Sequence, residues 1–295
     1  MITSTCKNLT FATIEAGAGL KRALELGQAG IIREVTDSGI KGRGGAGFPS
    51  GVKWNLCAAA KDPQKYIVCN ADEGEPGTFK DRIILTTYAG LVFEGMTIAA
   101  AAVNAPKGIL YLRGEYTYLR EQLEAELQAL RDDGKLGENA CGKKGFTFDI
   151  EIRMGSGAYV CGEETALIES LEGHRGEPRN RPPYPVNTGF DGHPTAVNNV
   201  ETLAWISCIL NKGSDWFRQH GTEKSTGLKL FSVSGDCDMP GVYELPLGIT
   251  VDQLLAEVGG SNAKAVQIGG ASGRCVPGSQ FDRKIAYEDI PTGGS

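Results

Sequence analysis

Hydrophobic and polar positions in the first two thirds of the chain alternate between the spacing of strands and the spacing of helices. Residues 65–70, 108–113 and 146–153 are short apolar or alternating runs, which are typical of strands. Between them, residues 82–104 are continuously apolar and alanine-rich, and residues 118–132 carry leucines on one helical face. Strands that alternate with helices are joined by long crossovers, which favours a parallel sheet covered on both faces. The pattern therefore predicts an α/β domain.

The last quarter of the chain has a different pattern. Residues 229–234 and 242–245 predict two short strands around a turn. Thr250 can cap a helix over residues 251–258, and residues 264–269 predict a further strand. This order in so short a segment indicates a small α+β unit of the β-grasp type.

These two patterns divide the chain into two predicted domains, residues 1–225 and residues 226–295. The second is expected to be incomplete, because residues 291–295 offer neither a cap nor a closing strand. We interpret the chain as a truncated form of a longer protein.

The charge and the amino-acid composition exclude several kinds of binding partner and site. The formal net charge of −6 argues against nucleic acid or an anionic membrane surface as the main partner. No apolar run is long enough to cross a bilayer and no signal peptide is visible, so a cytoplasmic protein without membrane insertion is expected. The 8 cysteines never form a C-x-x-C pair and are interpreted as buried thiols, and the 3 histidines are too far apart for a helical metal pair. No metal site is predicted.

Glycine is unusually frequent, and its distribution points to a site. The 41 glycines concentrate in residues 42–51, 155–162 and 269–273. The first of these segments satisfies the G-x-G-x-x-G fingerprint, but it follows a predicted helix over residues 18–35, whereas a Rossmann turn follows a strand. A loop without Cβ atoms still lets backbone N–H groups approach a phosphate or a flat ring.

An acidic loop follows the first predicted strand. Residues 70–77 place Asp72, Glu73 and Glu75 at the strand's end, where parallel sheets bind ligands. Ribose hydroxyls and the imide N–H of a flavin are donors that suit such carboxylates. A solvated acidic loop without a ligand is the alternative.

Three further segments have both a functional and a structural interpretation. Glycines before the helix that begins near residue 166 fit an anion at its N-terminus, although Glu163 and Glu164 also suit the helix dipole alone. The Arg181 side chain can meet a pyrophosphate and the Tyr184 ring can stack on adenine, but such a stretch is often a surface linker. The Asn198 and Asn199 amides are either helix caps or ligands for phosphate and ribityl oxygens.

Taken in order, these segments strongly resemble the NADH-binding flavoprotein subunit of respiratory NADH dehydrogenase (complex I). The family includes the diaphorase subunits of NAD-reducing hydrogenases and of NAD-dependent formate dehydrogenases. The resemblance rests on residues 42–51, 70–82, 112–116, 155–171, 181–185 and 197–203. It implies a Rossmann-like domain that holds FMN, then a β-grasp domain, then a helical domain with an iron–sulphur cluster. The cysteine-rich cluster motif of the family follows the β-grasp domain and is absent from residues 1–295, so that cluster is expected only in a missing C-terminal region or a partner subunit.

The resemblance also implies the site residues. For FMN they are Gly42, Arg43, Gly44, Gly45, Lys53, Asn70, Asp72, Glu73, Tyr159, Gly162, Glu163, Glu164, Asn198 and Asn199. For NADH they are Phe48, Glu75, Glu164, Arg181 and Tyr184. Some relatives carry an aromatic residue near the adenine where this chain has Leu56. Relative to those members, positions 181 and 184 look like exchanges between Lys and Arg and between Phe and Tyr. Arg181 and Tyr184 therefore retain the positive charge and the aromatic face for stacking. No acid or base is expected to be catalytic, while Glu75 and Glu164 are expected to orient NADH.

The implied activity is hydride transfer between NAD(H) and FMN, with electrons passing to iron–sulphur clusters of a larger complex. The implied partners are a thioredoxin-like, ferredoxin-type subunit and a hydrogenase, formate dehydrogenase or respiratory partner. One alternative is a cofactor-free structural or docking subunit with the same fold. A plain NAD-dependent dehydrogenase is the weakest alternative, since it requires a catalytic His or Lys beside a helix-opening fingerprint.

Overall fold

A four-stranded parallel sheet forms the centre of the larger part of the molecule. The computed structural model describes residues 9–271 and 273–291. The strands are β1 (Tyr66–Ala71), β2 (Lys107–Leu112), β3 (Asp149–Met154) and β4 (Thr195–Asn199). Their spatial order is β3-β2-β1-β4, and every neighbouring pair is parallel. The predicted α/β class is confirmed.

Helices cover both faces of this sheet, and a further helix lies in the C-terminal part. They are α1 (Ala18–Asp37), α2 (Ser50–Ala59), α3 (Lys80–Thr87), α4 (Ala89–Val103), α5 (Thr117–Asp132), α6 (Glu164–Leu171), α7 (Val200–Lys212), α8 (Ser214–Arg218) and α9 (Val251–Val258). On one face α1, α4 and α7 pack against one another. Successive side chains of a strand point to opposite faces, so Ile67 and Cys69 join the core under these helices while Tyr66 and Val68 pack with α6. Strands buried on both faces explain the uninterrupted apolar runs of the sequence.

The single helix predicted over residues 82–104 is wrong, because the structure contains two helices there. α3 and α4 meet at Tyr88, whose φ of −132° and ψ of 30° are not helical, and their axes differ by 95°. A uniformly apolar run does not reveal such a bend, because its periodicity does not change at the break. No single helix of the described residues has the length and apolarity to span a membrane, although this bent pair satisfies the same criteria.

Two short strands were not predicted. β4 is five residues long and ends in two asparagines, which are depleted in strands, so the pattern shows only the helix that follows it. The other is β8 (Arg274–Pro277), the antiparallel partner of β7 (Ala265–Ile268). β4 pairs with β1, which is more than a hundred residues away in sequence.

The C-terminal part has its own small core. β5 (Leu228–Val233) and β6 (Gly241–Pro246) form the predicted antiparallel hairpin, α9 follows, and β7 pairs with β8. Thr250 caps α9 as predicted, since its hydroxyl accepts a hydrogen bond of 3.2 Å from the Gln253 N–H. Apolar side chains of α9 pack with Phe231 in a second core, whereas Leu228 and Leu230 of the same β5 strand belong to the first. The domain boundary at residue 225 stays a prediction.

Not all cysteines are buried as predicted. Cys57, Cys69, Cys161 and Cys208 are buried thiols, and burial is the main cause of the raised pKa of Cys57, Cys69 and Cys208. The interpretation is wrong for Cys141 and Cys237, which are half-buried, and for Cys275, which is exposed. Cys6 lies outside the described residues.

Candidate functional site

The site lies where the direction of the chain connections reverses, between β1 and β4. β2 and β3 lie on one side of β1 and β4 lies on the other, and parallel sheets bind ligands beyond the carboxyl ends of strands at such a point. Here Asn70 of β1 is the register partner of Asn199 of β4. Two adjoining cavities of about 780 and about 440 Å³ open at these ends. The residues that line both are Gly44, Asn70, Gly162, Glu163 and Asn199.

The glycine loop, residues 42–51, folds back on itself beside the end of β4. The Gly42 N–H donates to the Phe48 carbonyl at 2.9 Å, and Gly45 and Gly47 have positive φ angles of 121° and 62°. A Cβ atom on Gly44 would lie 3.0 Å from the Asn199 Cβ. Glycine therefore lets the loop pack directly on Asn199 at the end of β4, and the glycine loop and the acidic loop line one shared cavity.

The structure does not bring the Arg43 side chain to the cavity. It is fully buried, and its guanidinium donates to the carbonyls of Lys41, Thr226 and Leu228 at 3.1, 3.0 and 3.0 Å. The Arg43 N–H donates to the Thr202 hydroxyl at 2.9 Å. Arg43 therefore joins the glycine loop to β5. Its side chain does not hold FMN but has this structural role.

Asp72 is the acidic group that faces the cavity with an unused acceptor. Its side chain is buried, and Oδ2 has no hydrogen-bond partner among the described residues. Burial raises the pKa of the Asp72 carboxyl to about 6, against the opposing effect of the Arg113 guanidinium. The carboxyl is thus a buried acceptor with room for a donor from a ligand.

Glu73 lines the smaller cavity, but its carboxylate is engaged by the protein. It accepts from the N–H groups of Asp81 and Arg82 at 2.8 and 3.3 Å, at the beginning of α3, and from the Tyr116 hydroxyl at 2.8 Å. Burial, together with the nearby Asp81 carboxylate, raises the pKa of Glu73 to about 7. Glu73 therefore holds the N-terminus of α3 against the cavity wall.

Glu75 reaches from the acidic loop to the C-terminal part. The Tyr159 hydroxyl donates to one carboxylate oxygen, and the Ala271 N–H donates to the other at 2.7 Å. Gly269 lines the smaller cavity from the same C-terminal loop. The third glycine-rich segment of the sequence thus lies at the site.

The N-terminus of α6 carries two glutamates with different roles. Glu163 is the N-cap, and its Oε2 accepts from the N–H groups of Thr165 and Ala166 at 2.9 and 3.0 Å. Glu164 forms an ion pair with Lys53, with Nζ 3.0 Å from Oε2, and its other oxygen lies 3.6 Å from Arg181 Nη1. The structural interpretation of this segment is therefore confirmed for Glu163, which caps the helix, whereas an anion bound at this N-terminus stays a prediction. Glu164 faces the cations at the cavity.

The asparagines at the strand ends are held by protein partners and still line the cavities. Asn70 Nδ2 donates to the Gly162 carbonyl at 2.9 Å, and Asn198 Oδ1 accepts from Trp54 Nε1 at 2.9 Å. Asn199 is the N-cap of α7, since its Oδ1 accepts from the Glu201 N–H at 2.9 Å. The capping alternative is confirmed for Asn199 and does not apply to Asn198, whose Oδ1 accepts from Trp54 Nε1 instead.

An apolar rim surrounds the larger cavity. The side chains of Phe48, Leu56 and Tyr184 are 47%, 46% and 52% exposed and all line it. Exposed aromatic rings beside a concave site are typical of positions that stack on a planar ligand. Leu56 completes the rim with a smaller side chain.

A fully buried charge network behind the cavity was missed by the sequence interpretation. Lys80 Nζ lies 2.7 Å from Asp81 Oδ1 and 2.9 Å from Glu201 Oε2, and Lys229 Nζ lies 3.7 Å from the same Glu201 oxygen. Burial acts to raise the pKa of Glu201, but the Lys80 and Lys229 ammonium groups outweigh it and lower the pKa to about 2. Burial lowers the pKa of Lys229 to about 8. The only sequence signal was that Lys80 and Asp81 lie in residues 70–82, one of the segments on which the family resemblance rests. Nothing in the sequence linked them to residues 201 and 229.

Comparison with known proteins matches both parts of the chain. Residues 35–207 match the Nuo51 FMN-binding domain and residues 230–275 match the SLBB domain. The alpha subunit of the NAD-reducing hydrogenase HoxS from Cupriavidus necator is 55% identical over 94% of this chain and 46% of its own length. An NADH-quinone oxidoreductase subunit of Rhizobium meliloti is 43% identical over 96% of this chain and 69% of its own length.

A solved structure has the same fold. The crystal structure of an air-oxidised NAD⁺-reducing [NiFe]-hydrogenase superposes with a TM-score of 0.91 and 44% identity, covering all of this chain and 51% of that chain. The chain thus spans about half the length of the hydrogenase chains that it matches. Because the first match covers more than half of this chain and the relatives exceed 40% identity, the chain belongs to the Nuo51 FMN-binding domain family, with an SLBB domain following it.

Proposed function

We propose that this chain is an FMN-dependent module that oxidises NADH or reduces NAD⁺ within a larger redox complex. The observation that supports it most strongly is the pair of adjoining cavities at the carboxyl ends of β1 and β4. Together they combine a Cβ-free loop and an apolar rim at the larger cavity with a buried unpaired carboxylate at the smaller one. The larger volume of about 780 Å³ falls in the range of about 300–1,000 Å³ that is usual for small-molecule sites.

The residues present fit FMN. A Cβ atom on Gly44 would lie 3.0 Å from the Asn199 Cβ, so glycine lets the loop pack directly on the strand end, and the two residues together line both cavities. Asp72 Oδ2 is an acceptor that lacks a donor in the described protein, and a flavin imide N–H is a donor of the matching kind. Lys53 and the asparagines at the strand ends add cationic and amide groups. We assign FMN to these residues together with Gly42, Gly45, Gly162 and Glu163.

The NADH end of the site is assigned to the apolar rim and to two carboxylates. Phe48 and Tyr184 offer exposed ring faces, and Glu164 holds both Lys53 and Arg181 near the cavity. Glu75 and Tyr159, joined by a hydrogen bond, line the adjoining smaller cavity. Phe48, Tyr184 and Arg181 would bind the dinucleotide, while Glu75 and Glu164 would orient it.

The chemistry that bound FMN supplies is acceptance of a hydride and release of single electrons. This chain's residues bind and orient the reactants, and the strand ends, α6 and the glycine loop fix their side chains on rigid elements. Both relatives are named as subunits, of an NAD-reducing hydrogenase and of an NADH-quinone oxidoreductase. We infer that this chain likewise works beside iron–sulphur partner subunits.

The test is reconstitution of the purified chain with FMN. We expect yellow protein whose visible flavin absorbance bleaches when NADH is added anaerobically. Gly44→Ala should weaken FMN binding, whereas Gly90→Ala, whose Cβ would meet no described atom within 4 Å, should not. A colourless protein that does not bind FMN would contradict the proposal and favour a cofactor-free docking subunit.

A further inference from the structure

The C-terminal part of the chain contacts the glycine loop directly, through Tyr287. The Tyr287 hydroxyl donates to the Gly42 carbonyl at 3.0 Å. Its ring lies against Gly47, where a Cβ atom would overlap the ring carbons. Tyr287 lies outside the residues that match the SLBB domain and far from every segment that the sequence interpretation assigned to the site.

The ring of Tyr287 is itself held from several sides. The Tyr287 N–H donates to the Ser225 hydroxyl at 3.0 Å, and the neighbouring Glu288 accepts from the hydroxyls of Ser225 and Thr222. Lys41 Nζ lies 4.9 Å from the ring centroid, at the start of the glycine loop. The position of the ring is therefore fixed by the segment that joins the two parts of the chain.

The buried Arg43 side chain anchors the loop next to Gly42, and the Tyr287 contacts act on the glycines on either side of that anchor. Gly45 and Gly47 have positive φ angles, and a glycine-rich segment loses more conformational entropy on ordering than any other. Gly42 is held by one backbone hydrogen bond to Phe48 and by the Tyr287 hydroxyl. Removal of Tyr287 takes one hydrogen bond from Gly42 and the packing contact from Gly47, so these two glycines lose part of their restraint while Arg43 stays anchored.

We propose that Tyr287 is a positioning residue that holds the glycine loop in the conformation that binds FMN, so that the C-terminal part determines how tightly the larger part retains the flavin. This inference rests on the proposed function. If the loop is already ordered before FMN binds, less conformational entropy is lost on binding. The affinity is then higher, although Tyr287 itself does not contact the ligand.

The experiment compares FMN affinities of variants of the whole chain by quenching of flavin fluorescence. Tyr287→Phe removes one hydrogen bond and should weaken binding about fivefold, and Tyr287→Ala should weaken it further. In the FMN-free chain, the Gly42 amide should exchange its hydrogen faster in Tyr287→Phe than in the unmodified chain. That readout does not depend on flavin or on activity.

A pair of glycine substitutions separates the contact from backbone strain. Gly47→Ala and Gly134→Ala place alanine at φ angles of +62° and +65°, but only the first meets the Tyr287 ring, and the second meets no described atom within 4 Å. We expect weaker FMN binding for Gly47→Ala alone. Adding Tyr287→Ala to Gly47→Ala should bring no further loss, because the ring that clashes is gone.

The outcomes distinguish the two proposals. If the unmodified chain binds no FMN, the proposed function fails. If it binds FMN and Tyr287→Phe, Tyr287→Ala and the unmodified chain have equal affinity and equal Gly42 exchange, the role of Tyr287 is overturned. Additive losses in the Gly47→Ala, Tyr287→Ala double variant would also overturn it, since they would place the effect of residue 47 on the ligand itself.

Discussion

Asn199 and Asp81 are joined by a hydrogen bond of 2.6 Å from the amide Nδ2 to the carboxylate Oδ2. Because Asn199 Oδ1 accepts from the Glu201 N–H, the orientation of the amide is fixed, with its nitrogen toward Asp81. Asp81 is in turn held by the buried Lys80 ammonium. One amide at the cavity wall is thus oriented by a charge network whose lysines and Glu201 are fully buried and whose Asp81 lines the smaller cavity.

The first prediction concerns the centre of that network. Lys80→Met leaves the Asp81 and Glu201 carboxylates buried without the cation between them, which should lower the free energy of unfolding by about 3–5 kcal/mol. Urea denaturation measures this change. Lys107→Met is the control, because the Lys107–Glu151 ion pair is partly exposed and should contribute less than about 1 kcal/mol. Equal losses in both variants would contradict a special role for Lys80.

The parts of the site that sequence predicted are those encoded locally. The glycine loop, the acidic loop after β1 and the glutamates at α6 were found because each lies within a few consecutive residues at a strand end or a helix start. The role of the Arg43 side chain was missed because its partners, the carbonyls of Thr226 and Leu228, lie in the other part of the chain. The Lys80–Glu201–Lys229 contacts and the Tyr287 contact were missed for the same reason. No periodicity encodes which distant backbone a side chain will reach.

The second prediction is a pH dependence of flavin binding that arises from Asp72. Its pKa of about 6 means that the carboxyl is ionised above pH 6 and protonated below it, and the ionised form is the stronger acceptor for an imide N–H. Affinity should therefore fall about tenfold between pH 7 and pH 5. Fluorescence titration with riboflavin measures it, since riboflavin lacks the phosphate that titrates in the same range.

Asp72→Asn is the matched variant for this measurement. It removes the titrating group and retains its size, so riboflavin affinity should become nearly independent of pH over that range. Glu73, whose pKa is raised to about 7, remains in the variant, so any pH dependence that it adds to riboflavin affinity is still measured there. A slope that persists unchanged in Asp72→Asn would assign the effect to Glu73 or to another group.

The third prediction divides the site between its two ligands. Glu164 holds Lys53 at 3.0 Å and Arg181 at 3.6 Å, whereas Lys53 keeps a second partner in the Val197 carbonyl at 2.9 Å. Glu164→Ala should therefore raise the NADH concentration for half-maximal flavin reduction about tenfold while FMN stays bound. Stopped-flow reduction of the flavin gives the first quantity and the bound flavin per chain gives the second.

Glu177→Ala is the control for that variant, since the Glu177 pair with Arg175 is strongly exposed. It should leave both quantities unchanged. Equal loss of FMN and NADH binding in Glu164→Ala would show that the division of the site is wrong, and that the Glu164 carboxylate supports the flavin as much as the dinucleotide.

The last prediction concerns the contact between the acidic loop and the C-terminal part. Gly270 has a φ of +78°, and a Cβ atom there would overlap the Glu75 carboxylate, so Gly270→Ala should displace Glu75 from the Ala271 N–H. Gly145→Ala places alanine at a similar φ of +81° with no described atom within 4 Å, which supplies the same backbone strain without the contact. Because Glu75 is assigned to NADH, only Gly270→Ala should raise the NADH concentration needed for half-maximal reduction, with FMN affinity retained. Loss of FMN instead would place the C-terminal loop on the flavin, in agreement with Gly269 at the wall of the smaller cavity.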